Sequence, residues 1–222
     1  YHESPVTIVG TGSGLSYAQL GPTHHSFEDI SVMRSMPNMT VFCPADAMEV
    51  VMGINAAVDY QKPLYIRLGK KGEAVFHDKM LDDFSFGKSI TMKSGDDVCI
   101  LNVGNMMAVA MEAAGQLDDQ GISTRVESFH TIKPLDSATL AEVFEKHDKV
   151  CVIEEHSIIG GLFSAVSEWV VLNMPYYAKK LKTICLPDNF IHHVSDQNQL
   201  RSMFGLTVKD VVSTLSAKQT QK

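Results

Sequence analysis

Apolar and polar positions along the chain fall into alternating strand-like and helix-like segments. Val6-Thr-Ile-Val9 reads as a buried strand running into a glycine-rich loop, Gly10-Thr-Gly-Ser-Gly14, whose glycines allow backbone conformations or close approaches that a side chain would block. Ser26 followed by Asp29 has the spacing of a capping box. Phe27, Ile30 and Met33 fall on one helical face, and Pro37 ends that helix. Thr40-Val-Phe-Cys43 is the next strand. Asp46-x-x-Glu49 then opens a helix carrying Val50, Val51, Ile54, Ala57 and Val58, which Lys62-Pro63 stops before a third strand, Leu64 to Leu68. Strand, helix, strand at this spacing is a parallel α/β unit.

Residues 69 to 96 change character, with Gly69-Lys-Lys-Gly72, Asp82-Asp83, Gly87 and Ser94-Gly-Asp-Asp97 separated by short apolar pieces. An interdomain connection with an edge hairpin is expected there. A second alternation follows: strand 98–103, helix 106–119 ended by Gly121, strand 123–128, helix 137–146 after Pro134 and Asp136, and strand 149–154. Beyond Gly160-Gly161 come a helix with Leu162, Val166, Trp169 and Val170, a strand at Thr183 to Leu186, and short helices at 196–203 and 207–216. The expected fold class is α/β in two domains: a truncated first domain with parallel strands over 1–80, a linker over 81–96, and a second domain over 97–222 with a mostly parallel sheet flanked by helices.

The 222 residues give room for one large or two modest domains and length enough to bury a real core. A composition of 45% hydrophobic and 20% charged residues is that of an ordinary globular protein, and a net charge of −7 provides no basic footprint for nucleic acid or an anionic membrane, so neither partner is expected. No apolar run approaches the ~20 residues a membrane helix needs, and a cytoplasmic protein is expected. Cys43, Cys99, Cys151 and Cys185 each lie in an apolar strand-like run without CxxC spacing, as buried free thiols do. The methionines are expected to pack the core. The chain opens at Tyr1 directly before a strand, as a piece cut from something longer would.

Candidate chemistry gathers in the first third. His24 and His25 stand at a loop-to-helix junction after a strand, where open α/β sheets place ligands. A histidine there exchanges protons near neutral pH, and the free N–H groups of a helix start favour an anion. Two turn histidines bonded to backbone carbonyls fit the same pattern. Arg67 and Lys70, with Lys71 next, end the third strand. They suit a substrate phosphate, arginine by its fork and lysine as a point charge, and equally a solvated basic turn. Glu28 and Asp29, near Arg34, suit the dipole of a helix start and are expected to cap. Glu154-Glu155-His156 before Gly160-Gly161 reads as a strand end packed tightly on a helix. His192-His193 has no acidic or cysteine partner at ligand spacing, so no metal site is expected. The dinucleotide pattern G-x-G-x-x-G fails at Leu15. Gly12-Ser-Gly14 lacks the surroundings of a nucleophile elbow, and no P-loop occurs.

Gly21-Pro-Thr-His24 and Arg34-Ser-Met-Pro-Asn-Met-Thr-Val-Phe-Cys-Pro-Ala-Asp-Ala-Met-Glu49 closely resemble the pyrimidine-binding domain of the transketolase family of thiamin diphosphate enzymes. Lys133-Pro-Leu-Asp136 and Val152-Ile-Glu-Glu-His-Ser-Ile-Ile-Gly-Gly161 look like that family's C-terminal domain. The resemblance implies a partial pyrimidine-binding domain over 1–80 and a C-terminal domain over 97–222. It implies thiamin diphosphate and Mg²⁺ as cofactors, held mostly by parts outside this chain. A homodimer, or a heterotetramer with a pyrophosphate-binding subunit or domain, is implied, as is a sugar-phosphate substrate. His24 would approach the cofactor's aminopyrimidine as the catalytic residue, and His25, Arg67 and Lys70 would bind substrate. The cofactor-activating glutamate of the family stands roughly a hundred residues before the Gly-Pro-Thr-His motif, whereas only 20 residues precede the motif here, so the isolated chain is expected to be inactive. Gly12 and Leu20 replace a histidine and an aspartate of the sugar-using members. The implied activity is transfer of a two-carbon ketol unit between sugar phosphates. Part of a deoxyxylulose-phosphate synthase, or of a 2-oxoacid dehydrogenase β-type subunit, is the alternative within the family. A non-catalytic dimerisation or regulatory module is the alternative outside it.

Overall fold

The computed structural model describes residue 2, residues 4–70 and residues 72–217. Tyr1 and Lys71, named above, lie outside the described residues, as does the end of the 97–222 segment beyond residue 217. In chain order the elements are β1 (Thr7–Thr11), α1 (Asp29–Ser35), β2 (Thr40–Phe42), α2 (Ala47–Ala57), β3 (Leu64–Leu68), β4 (Ile90–Lys93), β5 (Val98–Asn102) and α3 (Met107–Asp119). They continue with β6 (Thr124–Ser128), β7 (Thr131–Lys133), α4 (Ser137–Lys146), β8 (Lys149–Ser157), α5 (Leu162–Asn173), β9 (Leu181–Leu186), α6 (Gln197–Met203) and α7 (Val208–Ser216).

Two sheets result, in the strand orders β1-β3-β2-β7 and β4-β6-β5-β8-β9. All neighbours are parallel except β7 on β2 and β4 on β6. Successive side chains of a strand point to opposite faces, and both faces of these central strands are covered, which explains the unbroken apolar runs Val98–Leu101 in β5 and Val150–Ile153 in β8. Val98, Ile100, Cys151 and Ile153 face the layer of α3 and α7, while Cys99, Leu101, Val150 and Val152 face that of α4 and α5. The second of these cores also takes in Val41 and Tyr65 from the first sheet, Cys43 just after β2 and Ile30 from α1, so the two halves share buried apolar contact. Asp46 accepts from Glu49 N and Asp136 from Thr139 N at helix starts the sequence marked, and Thr207 with Asp210 forms a capping box at the start of α7.

Several expectations change. β1 is the edge of its sheet, with Ile8 40% and Val9 49% exposed, because it pairs on one side only, with β3. Among the described residues of 69–96 no hairpin forms. The strand there, β4, pairs with β6, which also builds the sheet edge. β7 has no counterpart in the sequence reading. It carries the second half of the chain onto β2, and its Lys133 Nζ donates to the carbonyls of Arg34 and Met36 at the end of α1. Met52, Met106 and Met107 are buried, but Met36, Met80 and Met203 are not. Cys43, Cys99 and Cys151 are buried free thiols, and Cys185 is half-buried. No helix among the described residues is long and apolar enough to cross a membrane.

Candidate functional site

The strands β1 and β3 end together, and the glycine loop is built on those ends. Gly12 N donates to Gly69 O at 3.2 Å and Ser13 N to Leu68 O at 3.0 Å. Gly12 and Gly14 have φ of 84° and 60°, conformations that favour glycine. Space requires it as well. A Cβ on Gly12 would lie 2.3 Å from the Tyr17 ring, and one on Gly14 2.4 Å from Glu155 Oε1. Gly14 and Ser26 exchange backbone hydrogen bonds of 2.6 and 2.9 Å, an isolated antiparallel bridge that lays the histidine turn against the loop. Two 3-10 turns, Ala18–Leu20 and Pro22–His24, joined at Gly21, carry the chain to the histidines. Pro22 begins the second, where its fixed φ is pre-organised and its missing N–H costs nothing.

His24 is exposed, with Nδ1 3.0 Å from Thr23 Oγ1. His25 is half-buried, 5.9 Å from the Phe27 ring, and burial holds it below its ordinary value. Lys70 is exposed, and its Nζ stands 5.7 Å from the centre of the Tyr17 ring, a cation–π placement. Lys70 and Tyr17 line a cleft of about 430 Å³ together with Thr11, Pro44 and Glu73. The histidines are not among the residues lining it. The glycine loop links the two features, bonded to β3 on one side and to Ser26 on the other.

Arg67 is the residue whose expected role changes most. It is 3% exposed, and its Nε donates to Asp29 Oδ2 at 2.8 Å while Nη2 donates to the carbonyls of Ser26 and Glu155 at 2.7 and 3.3 Å. A guanidinium turned inward and held this way does not reach a solvent-borne phosphate; it braces the histidine turn from behind. Asp29 in turn accepts from Tyr65 Oη at 2.6 Å. Neither Glu28 nor Asp29 caps α1, whose N-cap, Glu28, makes no side-chain cap bond, and the capping box expected from Ser26 is absent. Burial alone would raise Asp29, but the charge and hydrogen bonds of Arg67 outweigh it and hold the carboxyl low. Arg34 reaches across instead, donating to Gly160 O at 2.9 Å and pairing with Glu168 at 2.6 Å.

The Glu154-Glu155-His156 strand end is fully buried. Glu154 accepts from Leu162 N and Phe163 N at 2.8 and 3.0 Å, so it caps α5. Burial nevertheless pushes it up to about 7. A Cβ on Gly161 would strike its Oε2 at 2.2 Å, which explains the diglycine as a close strand-to-helix approach. Glu155 Oε1 accepts from Leu15 N at 2.6 Å, from Asn105 Nδ2 at 3.1 Å and from Gln197 Nε2 at 2.9 Å, and its Oε2 pairs with Arg201 Nε. Asp46, besides capping α2, accepts from Phe76 N, His77 N and His77 Nδ1 at 2.7, 3.0 and 2.9 Å, tying the connecting segment to the first sheet's helix. His192 and His193 are exposed. Among the described residues no group of three or more His, Cys, Asp and Glu side chains is arranged to hold a metal ion. Sequence spacing marked the Asp46 cap but not the Arg67–Asp29, Glu155–Arg201 and His77–Asp46 pairs, whose members are 38, 46 and 31 positions apart.

Comparison with known proteins follows the same order along the chain. Residues 1–72 match the transketolase pyrimidine binding domain and residues 87–211 the transketolase C-terminal domain. A 6-deoxy-6-sulfo-D-fructose transketolase subunit of Clostridium sp. strain MSTE9 is 37% identical, over 93% of this chain and 63% of its own length. A 1-deoxy-D-xylulose-5-phosphate synthase of Dictyoglomus thermophilum is 38% identical, over 91% of this chain and 32% of its own. A solved split gene transketolase, described as an inactive β4 tetramer, superposes with a TM-score of 0.80 at 35% identity, over 95% of this chain and 65% of that one. The chain belongs to the transketolase family. It spans less than two thirds of the length of each of these three proteins.

Proposed function

We propose that this chain forms one wall of the active site of a thiamin diphosphate-dependent transketolase-type transferase, the remainder being supplied by a pyrophosphate-binding subunit or domain. The observation that carries the reading is the conjunction, within a family-matched segment, of an exposed histidine turn and a cleft bearing Lys70, both set by one glycine loop. Gly12 and Gly14 leave room for the Tyr17 ring and the Glu155 carboxylate, which sets Tyr17 in the wall of the cleft where the organic part of the cofactor would lie. The Mg²⁺ and diphosphate would be held by groups beyond the residues described here. When bound, thiamin diphosphate supplies the nucleophilic carbon that takes up and releases a two-carbon ketol unit.

The placement of this chain's own residues supports the following roles. His24, exposed at the turn, exchanges a proton with the oxygen of the substrate carbonyl. His25, kept low by burial and with both ring nitrogens shielded from solvent, would meet substrate through the edge of its ring behind His24. Lys70, steadied by the Tyr17 ring, meets the phosphate of the sugar as a point charge. Arg67 has no place in this list, because its fork is committed to Asp29 and two carbonyls.

The test is ketol transfer between sugar phosphates by the chain combined with its pyrophosphate-binding counterpart, cofactor and Mg²⁺. Activity is expected in the assembly and not in the chain alone, and ketol transfer by the isolated chain would overturn the shared-site reading. In the assembly His24→Ala is expected to lower kcat/KM by ~10²–10⁴-fold, and a loss of only a few-fold would remove His24 from the chemistry. Pyruvate as the preferred donor would move the reading to deoxyxylulose-phosphate synthesis.

A further inference from the structure

We infer that Glu155, on the second sheet, is a positioning residue that sets the geometry of the glycine loop and histidine turn on the first. The inference rests on the reading that this loop faces the reaction, but its physical content is independent of that reading. Glu155 is fully buried, and the donors around its carboxylate come from three places: Leu15 in the glycine loop, Asn105 ahead of α3, and Gln197 and Arg201 on α6. A buried carboxylate is tolerated only where charge and N–H groups surround it. The Leu15 N–H is one of those groups, so the loop is part of the charge's solvation and is not free to drift.

The backbone of the same residue acts on the other strand of the loop. Glu155 O accepts from Arg67 Nη2, the nitrogen that also holds Ser26 O. Ser26 follows His25 and is bridged to Gly14. Glu155 therefore touches both members of the Gly14–Ser26 bridge, one through Leu15 and one through Arg67. Gly14 has no side chain where Oε1 stands, which lets the carboxylate reach the loop. Arg201 Nη2 donates to Asn105 O at 3.1 Å, so α6 and the start of α3 are locked to one another behind the carboxylate. The second half of the chain, which supplies none of the proposed catalytic side chains, thereby fixes where those side chains stand. Displacements of about an ångström suffice to disturb such chemistry.

The test is backbone amide hydrogen exchange on the 222-residue chain, which needs neither cofactor nor partner, so failure of the ketol-transfer reading leaves the result intact. Two neutral variants are compared. Glu155→Gln/Arg201→Met keeps an oxygen acceptor opposite Leu15; Glu155→Leu/Arg201→Met removes it, and neither leaves an unpaired buried charge. Exchange at Leu15 and Gly14 is expected to be about 5- to 100-fold faster in the leucine variant than in the glutamine variant, the effect of leaving one buried N–H without its acceptor. Ile100 and Val152, in the central strands, serve as the control and are expected to differ by no more than a few-fold. Equal exchange at Leu15 in the two variants, or a uniform acceleration that includes Ile100 and Val152, would overturn the inference and leave Glu155 as a core stabiliser only. In the assembled enzyme the leucine variant is expected to lower kcat by a larger factor than it raises KM for the sugar phosphate, since His24 stands on the turn bridged to the displaced loop whereas Lys70 is carried by the chain after β3.

Discussion

Replacing Arg67 by methionine tests whether the brace behind the histidine turn is as strong as its burial implies. The Arg67 and Asp29 side chains are 2% and 15% exposed, and their contact is 2.8 Å. In wild type the carboxylate has two side-chain partners, Arg67 Nε and Tyr65 Oη. After Arg67→Met it keeps only the tyrosine, and the carbonyls of Ser26 and Glu155 lose their donor. Removing one partner of a buried pair costs about 3–5 kcal/mol, because the remaining charge is left uncompensated. For a chain of this size each kcal/mol is about 2–4 °C, so Tm is expected to fall by roughly 6–20 °C. The assay is urea unfolding followed by far-ultraviolet circular dichroism at pH 7, comparing wild type, Arg67→Met, Asp29→Leu and the double variant. The double variant, with both charges gone, is expected to recover about 1–3 kcal/mol relative to the sum of the singles. A loss below about 1 kcal/mol in Arg67→Met, or strict additivity in the cycle, would refute the reasoning. The acid side gives a second reading of the same pair. Asp29 is held below its unfolded value by Arg67 against burial, so its contribution is fully present above the unfolded carboxylate value and is lost as the pH falls through the lower folded one. The slope of stability below about pH 4 is therefore expected to diminish in Arg67→Met.

Three other outcomes are expected. Glu154 is raised by burial to about 7, so its stabilising protonated form is fully present below its unfolded value and is lost as the pH rises through the folded one. Glu154→Gln is expected to make stability between pH 5 and 8 less dependent on pH, by up to about 3 kcal/mol across the range, in urea midpoints taken at each pH. Gly14→Ala places a Cβ at a left-handed φ of 60° and 2.4 Å from Glu155 Oε1; a loss of at least about 1–2 kcal/mol is expected from conformation alone, and a neutral result in thermal unfolding would show that the loop can reorganise. Lys70→Ala, at an exposed position touching only the Tyr17 ring among the cation–π contacts, is expected to change stability by less than about 0.5 kcal/mol while raising KM for the phosphorylated substrate of the assembled enzyme.

The elements were readable wherever a local signal exists. Asp46 and Asp136 stand where an N-cap is needed and do accept from the third residue on. Gly121, with a φ of 78°, ends the α3 segment as its position suggested. The unbroken apolar runs at β5 and β8 correspond to strands covered on both faces. The failures have physical causes too. Val6-Thr-Ile-Val9 reads as a buried strand, and nothing in a four-residue run reports how many neighbours it pairs with. β7 is three residues long and is stabilised by β2 and by Lys133 reaching α1, contacts that no local pattern encodes. Asp29 looked like a capping residue because first-turn acids usually suit the helix dipole, but a buried arginine 38 positions later competes for it and wins.

For the candidate site the division is similar. The Gly-Pro-Thr-His segment and the Arg34–Glu49 and Val152–Gly161 runs carried the resemblance to the family, and His24, His25 and Lys70 stood out as candidates from their places at strand and loop ends, because those signals are contiguous in the chain. Which cation faces solvent was decided by folding. Arg67 and Lys70 are three positions apart at one strand end, yet the alternation of β3 and the nearness of Asp29 turn the first inward and leave the second over Tyr17. The part played by the second sheet was likewise invisible before the chain closed on itself. Glu155 and Leu15 are 140 positions apart, and only their packing shows that a buried charge on one sheet must be solvated by the backbone of a loop on the other.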